Sequence, residues 1–425
     1  MGAEHITELA PGVRLHCLQT EKFHSGCFGI DLLRPLTAED ASRNALVMNV
    51  LHRGTRSCPD MARIAETLNG LYGAAVSPVM RQMGETVSIG LQSAFPDDRY
   101  LPGEKRYLEK VIAFVGEMLL DPATRGGLLN EEYVRSERQN LHDRIAGIVN
   151  DKRSYARLRR RKLMFAGEPY GIYPLGEAED ALKVYYQALT KFYRQLLLTS
   201  PMELYYCGSA APERVEDAVR EAFLTLPRGA ARELPTAGVA VYGSEFRQVT
   251  EELDVEQGNL AIGFRMQPGP APDYPALSVF EELFGGGPAS KLFRNVREKR
   301  SLCYSIGCSG DRFKRVMTVS AGIAFDRREE TEAAVFAELD AIRNGDFTAE
   351  ELETAKRSAA ASYRSGLDRP GSMCAFRLAQ DLLGEGGGLE HYAALTGEVT
   401  AESVRAVAER MKPELSYFLR KGAEA

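Results

Sequence analysis

Two points along this chain repeat at a single offset. Arg194 lies nine residues before Glu203-Leu204, Arg405 lies nine before Glu414-Leu415, and both pairs are 211 residues apart. A third match agrees in order: Leu71-Tyr72 precedes Val87-Ser88-Ile89-Gly90 much as Tyr304 precedes Val319-Ser320-Ala321-Gly322. A repeat of half the chain restricts the fold to two similar domains, each with its own core. At 425 residues the chain is about three times the ~150-residue prior for one domain, which one compact core does not accommodate.

The apolar pattern has the same order in both halves. In the first, strands are predicted over 12–18 and 26–33, helices over 38–52 and 61–71, strands over 75–80 and 86–92, helices within 108–197, and a closing strand over 203–207. Residues 227–243 are rich in Pro, Gly and Ala, lack a periodic apolar face, and read as a linker. Strands then follow over 247–253 and 260–265, helices over 274–283 and 289–299, and strands over 303–307 and 316–323. Helices return up to about residue 411, and a strand over 414–419 closes the chain. Strands followed by runs of helices indicate an α+β fold, with helices covering a mainly antiparallel sheet in each half. The domains are read as 1–226 and 244–425, joined by the linker.

Composition excludes several classes. A formal charge of −6 argues against a nucleic-acid binder, and no apolar run approaches the ~20 residues of a membrane span. Glu4 and the lack of an early apolar stretch argue against a secretory leader. The seven cysteines are scattered, odd in number and without C-x-x-C spacing, which points to reduced thiols and a cytoplasmic location.

No two of the six histidines are closer than eight residues, so no helical zinc pair exists. His52 and His142 read as surface residues, and Cys303 and Cys308 as buried small side chains rather than half a metal site. No G-x-S-x-G elbow is present. The basic run at 157–162 lies on a helix without interleaved aromatics and reads as a solvated or inter-domain face. The most distinctive segment is 283–304, LFGGGPASKLFRNVREKRSLCY. Gly285, Gly286 and Gly287 stop an apolar helix and allow backbone geometries that side chains forbid. The next helix begins with free N–H groups that attract a carbonyl or carboxylate. Lys291 follows Ser290 rather than Gly, so this is not a phosphate loop.

This segment resembles the second-domain motif of the pitrilysin/insulinase superfamily of zinc peptidases, L-G-G-G-x-x-S-R-L-F-x-x-V-R-E-K-x-G-L-A-Y. His52-Arg53-Gly54-Thr55 with Pro59 is similar to the F-K-G-T…P that follows the family's metal helix. Pro169-Tyr170-Gly171, Pro174-Leu175-Gly176 and Phe192-Tyr193 are similar to its H-P-Y-G…P-L-G…F-Y run. The resemblance spans nearly the whole chain and implies two homologous α/β-roll domains of about 200 residues each. It also places the family's H-x-x-E-H on residues 45–49, where Ala45 and Asn49 replace the histidines and Met48 the glutamate. Counting from Glu137-Arg138, Arg144 stands at the third ligand. An arginine repels a metal cation, so the chain is expected to hold no zinc and to hydrolyse no peptide on its own.

Arg297 and Tyr304 match the family's substrate-holding pair. The resemblance therefore implies a non-catalytic, peptide-binding subunit whose Arg297, Tyr304 and Gly285 to Gly287 complete the site of a zinc-bearing homologous subunit. Zinc is then expected in the partner alone. The alternative is a structural or peptide-binding homodimer that has lost proteolysis. Among family members the chain is similar to a degenerate bacterial type associated with aminopentanol modification of elongation factor P, an association that supplies no chemistry.

Overall fold

The computed structural model describes residues 4–101, 103–235, 245–267 and 273–422. The first half begins with β1 (Glu4–Ala10), β2 (Val13–Gln19), β3 (Ser25–Pro35), α1 (Ala38–Leu51), α2 (Met61–Gly70), β4 (Ala75–Met83) and β5 (Thr86–Pro96). It continues through α3 (Tyr107–Leu120), a short hairpin of β6 (Thr124–Arg125) and β7 (Leu128–Leu129), α4 (Glu131–Ala146) and α5 (Lys152–Met164). It closes with α6 (Ala178–Leu182), α7 (Tyr186–Thr199), β8 (Met202–Gly208) and α8 (Pro212–Ala222). The second half runs β9 (Arg247–Glu252), β10 (Gly258–Met266), α9 (Tyr274–Phe284), a π-helix (Leu292–Lys299), β11 (Cys303–Asp311) and β12 (Val316–Ile323). Then come α10 (Arg328–Asn344), α11 (Ala349–Ser365), α12 (Pro370–Leu383), α13 (Leu389–Glu398), α14 (Ala401–Arg410) and β13 (Met411–Arg420). The expected linker, 227–243, lies outside the described residues from 236 onward; in its described part Arg228 binds the Leu197 and Ser200 carbonyls.

The internal repeat is a repeat of sheet topology. The first sheet has the order β1-β2-β8-β3-β5-β4 and the second β11-β12-β10-β13-β9. Reversed, the second reads β9-β13-β10-β12-β11, matching β2-β8-β3-β5-β4 strand for strand. The pairs β2/β8 and β9/β13 are parallel, and the other pairs in each sheet are antiparallel. This is the expected α+β architecture. The repeated glutamates, Glu203 in β8 and Glu414 in β13, are both buried and both held by arginine: Arg14 at 2.6 Å and Arg265 at 2.6 Å.

Compactness divides the chain differently from linear order. One unit comprises Met1–Ala146, Ile172–Pro235 and Leu367–Glu385; the other comprises Gly147–Gly171, Thr236–Gly366 and Gly386–Ala425. The boundaries read from sequence, 1–226 and 244–425, put α5 and α12 each with the opposite half. In the first unit α12 is held on the sheet through Asp381, which accepts from the Tyr205 hydroxyl at 2.9 Å, and through Arg377, which bonds Glu4 at 3.0 Å. In the second unit Arg160 of α5 is 4% exposed and donates to Thr318 Oγ1 at 2.8 Å, while Arg159 bonds Glu251 at 2.7 Å. The basic run at 157–162, expected as a solvated or inter-domain face, is therefore partly core. There Arg160 supplies a donor to the buried Thr318 hydroxyl and Arg159 one to Glu251.

In the first unit, central strands β3, β5 and β8 are buried along nearly their whole length, and Phe28, Ile30, Ile89, Leu91 and Leu204 pack with Leu46, Val50, Ile112 and Leu196 from the helices. Each such side chain contributes about 1.5–3 kcal/mol on burial. In the second unit, Ala261, Leu415, Tyr417 and Leu419 form a core with Met164 and Phe165.

Candidate functional site

Helix α1 starts where Thr37 accepts a hydrogen bond from the Asp40 N–H, and Glu39 and Asp40 favour its first turn. Its apolar face enters the core, and the adjoining stripe carries Ala45, Met48 and Asn49 into a cavity of about 540 Å³. The opposite wall is the β4 backbone from Pro78 to Gln82, with Arg144 of α4 and Tyr173 to Leu175 closing the sides. The four positions where the resemblance puts a zinc set thus meet in one cavity, but their chemistry does not fit zinc. Ala45 has no donor atom, Met48 is a buried thioether, and the Asn49 amide nitrogen donates to the Ala45 carbonyl at 2.7 Å. Arg144 is a cation with no lone pair to give. Glu137, which starts the expected ligand motif, pairs with Arg53 at 3.1 Å.

The same cavity holds residues the sequence did not single out. Asn44 is buried and both polar atoms of its side chain lack partners. Gln82 also has an unpaired side-chain oxygen. A polar residue on an otherwise apolar helix face is the signal that could have flagged Asn44. His52, expected at the surface, is half-buried, and its Nε2 bonds the Val76 carbonyl at 2.8 Å. His142 is also half-buried, beside Asp143.

In the second unit the helix expected over 289–299 is wound as a π-helix over Leu292–Lys299, with Leu292 and Val296 buried. Single turns of π-helix cost hydrogen-bond geometry and concentrate at functional sites. Arg297 projects from this segment, stacks on the Phe293 ring at 4.4 Å, and donates from Nε to the Tyr304 carbonyl at 3.0 Å. Strand β11 is an edge strand, and its register to β12 slips between Cys303 and Ser305. Tyr304 is the extra residue of that bulge, which turns its side chain outward until it is 70% exposed. Arg297 and Tyr304 line one cavity of about 750 Å³ together with Ser301, Cys303 and Arg327. Burial pushes the Cys303 thiol up to about 11, so it supplies no thiolate nucleophile.

The triple glycine acts through space, not through φ. The three glycines were expected to allow backbone geometries that side chains forbid, yet none of Gly285, Gly286 and Gly287 has a positive φ. A Cβ on Gly285 would come 2.9 Å from Leu292 Cδ1 and 3.0 Å from the Cys308 nitrogen, because the Gly285 carbonyl accepts the Cys308 N–H. A Cβ on Gly286 would strike Glu282, whereas Gly287 faces open space. The following turn is closed by Ser290, whose N–H and hydroxyl both donate to the Gly287 carbonyl.

Comparison with known proteins bears on both sites. Residues 183–359 match the family model described as peptidase M16 inactive domain. The chain is 31% identical over 419 residues to the probable inactive metalloprotease YmfF of Bacillus subtilis (strain 168), covering 97% of this chain and 96% of that protein. Among solved structures it is similar to a conserved protein from Enterococcus faecalis V583, with a TM-score of 0.90 at 25% identity over 99% of both chains. A peptidase M16 inactive domain from Pseudomonas fluorescens shares the fold, with a TM-score of 0.77 at 17% identity over 99% of this chain and 98% of that one.

Proposed function

The chain belongs to the peptidase M16 family as a non-catalytic member, and from that premise we propose that it is the substrate-binding subunit of a heterodimeric zinc peptidase. In this reading it completes the active site of a zinc-bearing homologous partner. The observation that carries it is the outward display of Tyr304 by a bulge, with Arg297 pinned to its carbonyl, in a chain whose Ala45, Met48, Asn49 and Arg144 cannot serve a metal. Holding an exposed tyrosine on a bulged edge gains the fold nothing.

The chemistry follows from the remaining hydrogen-bonding capacity. Arg297 spends Nε on the Tyr304 carbonyl, which leaves its Nη groups to donate to a substrate carbonyl. The Tyr304 hydroxyl makes no hydrogen bond among the described residues and can donate to an oxygen that gains charge during hydrolysis in the partner. Gly285 to Gly287 bring the backbone close to the bound peptide in the same reading. A cytoplasmic location belongs to this reading and is supported by the odd number of cysteines and their lack of C-x-x-C spacing in the sequence. Among the described residues no helix is long and apolar enough to cross a membrane.

Affinity capture of the chain from its native cell, followed by identification of stoichiometric companions, tests the proposal. A similar-sized protein with an intact H-x-x-E-H is the expected companion. A stable homodimer that captures peptide without such a companion would favour the alternative, a peptide-binding homodimer without proteolysis.

A further inference from the structure

Three of the seven cysteines, far apart in sequence, meet on the first sheet. Cys27 of β3 and Cys207 of β8 are partners in the antiparallel ladder between those strands. Cys374 comes from α12, which enters the first unit from the second half of the sequence, and its thiol hydrogen-bonds both. The first turn of α12 lies close on β3 and β5 because Gly371 has no side chain. A Cβ there would strike the Gln92 amide and come 3.8 Å from Cys27 Sγ. Cys374 stands three residues further on and so shares the helix face that meets β3.

Of the three, Cys27 is the one placed to react. It alone of them lines a cavity of about 490 Å³, whose charged lining residues, Arg81 and Arg369, are both cations. A relay of hydrogen bonds reaches its sulfur from Arg81. The guanidinium donates to Gln92 Oε1 at 2.9 Å, which fixes the amide so that Nε2 donates to Cys27 Sγ at 3.4 Å. Cys374 supplies a second donor. Its hydrogen bond holds the Cys27 thiol below the ordinary range against the effect of burial; Gln92 and Arg81 act in the same direction and Asp31 opposes them. Bonds to Cys207 and Cys27, together with burial, push the Cys374 thiol well up, so it keeps its proton and donates. A thiolate-prone sulfur at a cavity wall, backed by a protonated thiol, is the arrangement of an oxidant-sensing pair.

We propose that Cys27 and Cys374 form a reversible, peroxide-driven disulfide that locks α12 onto the first sheet. The Cys27 thiolate attacks one oxygen of hydrogen peroxide, the O–O bond breaks, and Cys27 becomes a sulfenic acid. The departing hydroxide takes up the proton shed by Cys27 and forms the first water. The Cys374 sulfur then attacks the Cys27 sulfur; the S–S bond forms, the S–O bond breaks, and the oxygen leaves with the Cys374 proton as the second water. Two thiols are oxidised and one peroxide is reduced. A dithiol reverses the bond by exchange, and in a reducing compartment such a disulfide is transient. Tyr205 and Glu4 already hold the far end of α12 through Asp381 and Arg377. The disulfide fixes its first half.

The test treats the full chain with hydrogen peroxide under native conditions, blocks the remaining thiols with N-ethylmaleimide, and maps the non-reduced tryptic digest by mass spectrometry. A peptide joining Cys27 to Cys374 is expected, and dithiothreitol should abolish it. Hydrogen exchange across α12 should slow in the oxidised chain. In Cys374→Ser the sulfenic acid should persist at Cys27 and be trapped by dimedone, whereas Cys207→Ser should still give the linked peptide. Absence of that peptide from the oxidised wild-type chain, or a link from either residue to Cys207 in its place, overturns the proposal without recourse to any variant. The linked peptide with unchanged exchange across α12 would overturn the lock.

Discussion

Strands β4 and β11 occupy the same edge of two sheets that share a five-strand order, yet the side chains around them differ in kind. Each is preceded by a non-glycine residue in the left-handed region, Tyr72 at φ 55° and Ser301 at φ 50°, a conformation that costs about 1–2 kcal/mol per residue. Beyond that shared frame they part. Strand β4 keeps a regular register and faces a cavity lined by no histidine, cysteine or carboxylate, whereas β11 carries a bulge that displays Tyr304 beside Arg297. Packing of β3, β5 and β8, or of β10, β12 and β13, fixes the frame; the outward side chains take no part in it. The contrast teaches that the repeat governs architecture only, and that each edge carries its own chemistry.

The largest effect should come from the β11 edge. In a reconstituted heterodimer, Tyr304→Phe or Arg297→Ala should lower peptidase activity by ~10²–10³, the usual cost of removing one donor to developing charge. Assembly and thermal unfolding should stay as in the wild type, since Tyr304 is largely solvent-facing. Unchanged turnover in an intact complex would reduce the bulge to an ornament of the fold and erase the contrast with β4.

A smaller effect separates packing from display within the glycine segment. Gly285→Ala places a methyl against Leu292 and the Cys308 backbone and should cost about 1–3 kcal/mol of stability, as overpacking does. Gly287→Ala meets nothing within 4 Å and should leave the unfolding midpoint almost unmoved. Equal losses in chemical denaturation would mean that the whole turn, and not the contact under β11, limits the sequence.

Most of this frame was legible from sequence because apolar periodicity reports burial. The strands and helices of the repeat, and the offset linking Glu203 with Glu414, all follow from it. Strand β1 was missed because it lies at a sheet edge with Glu4, His5 and Thr7 giving no apolar alternation. The exchange of α5 and α12 was invisible for a different reason: Arg160 reads as a surface cation until its distant acceptor, Thr318, is known. Winding as a π-helix and the bulge at Tyr304 are register choices made by the surrounding packing. Residues 45–49 were legible only through family resemblance, whereas the orphaned Asn44 needed coordinates.

The two sheets also differ in how the exchanged helix is pinned, and this predicts a modest pH dependence. In the first unit His16 is fully buried between Glu203 at 2.9 Å and Glu4 at 3.2 Å, with Asp381 at 3.7 Å and its ring stacked on Tyr205. Burial opposes the imidazolium, but the bonds to Glu203 and Glu4 and the nearby Asp381 outweigh it and raise its pKa above the ordinary 6.5. A raised folded-state pKa stabilises the fold fully below the unfolded value and loses that contribution as pH rises through the folded one. The melting temperature should therefore fall as pH rises above the ordinary histidine value of 6.5, and His16→Gln should flatten the fall. A slope that persists in the variant would assign the titration elsewhere. The corresponding Arg265–Glu414 pair of the second unit contains no histidine.

The most direct test of the contrast is zinc stoichiometry on the chain alone. Metal-free protein, equilibrated with zinc and dialysed, is expected to retain well under one equivalent by elemental analysis, since Ala45, Met48, Asn49 and Arg144 offer no donor set. One full equivalent that is lost on Asn49→Ala would mean that the α1 edge still holds a metal, and the account would fail at its centre.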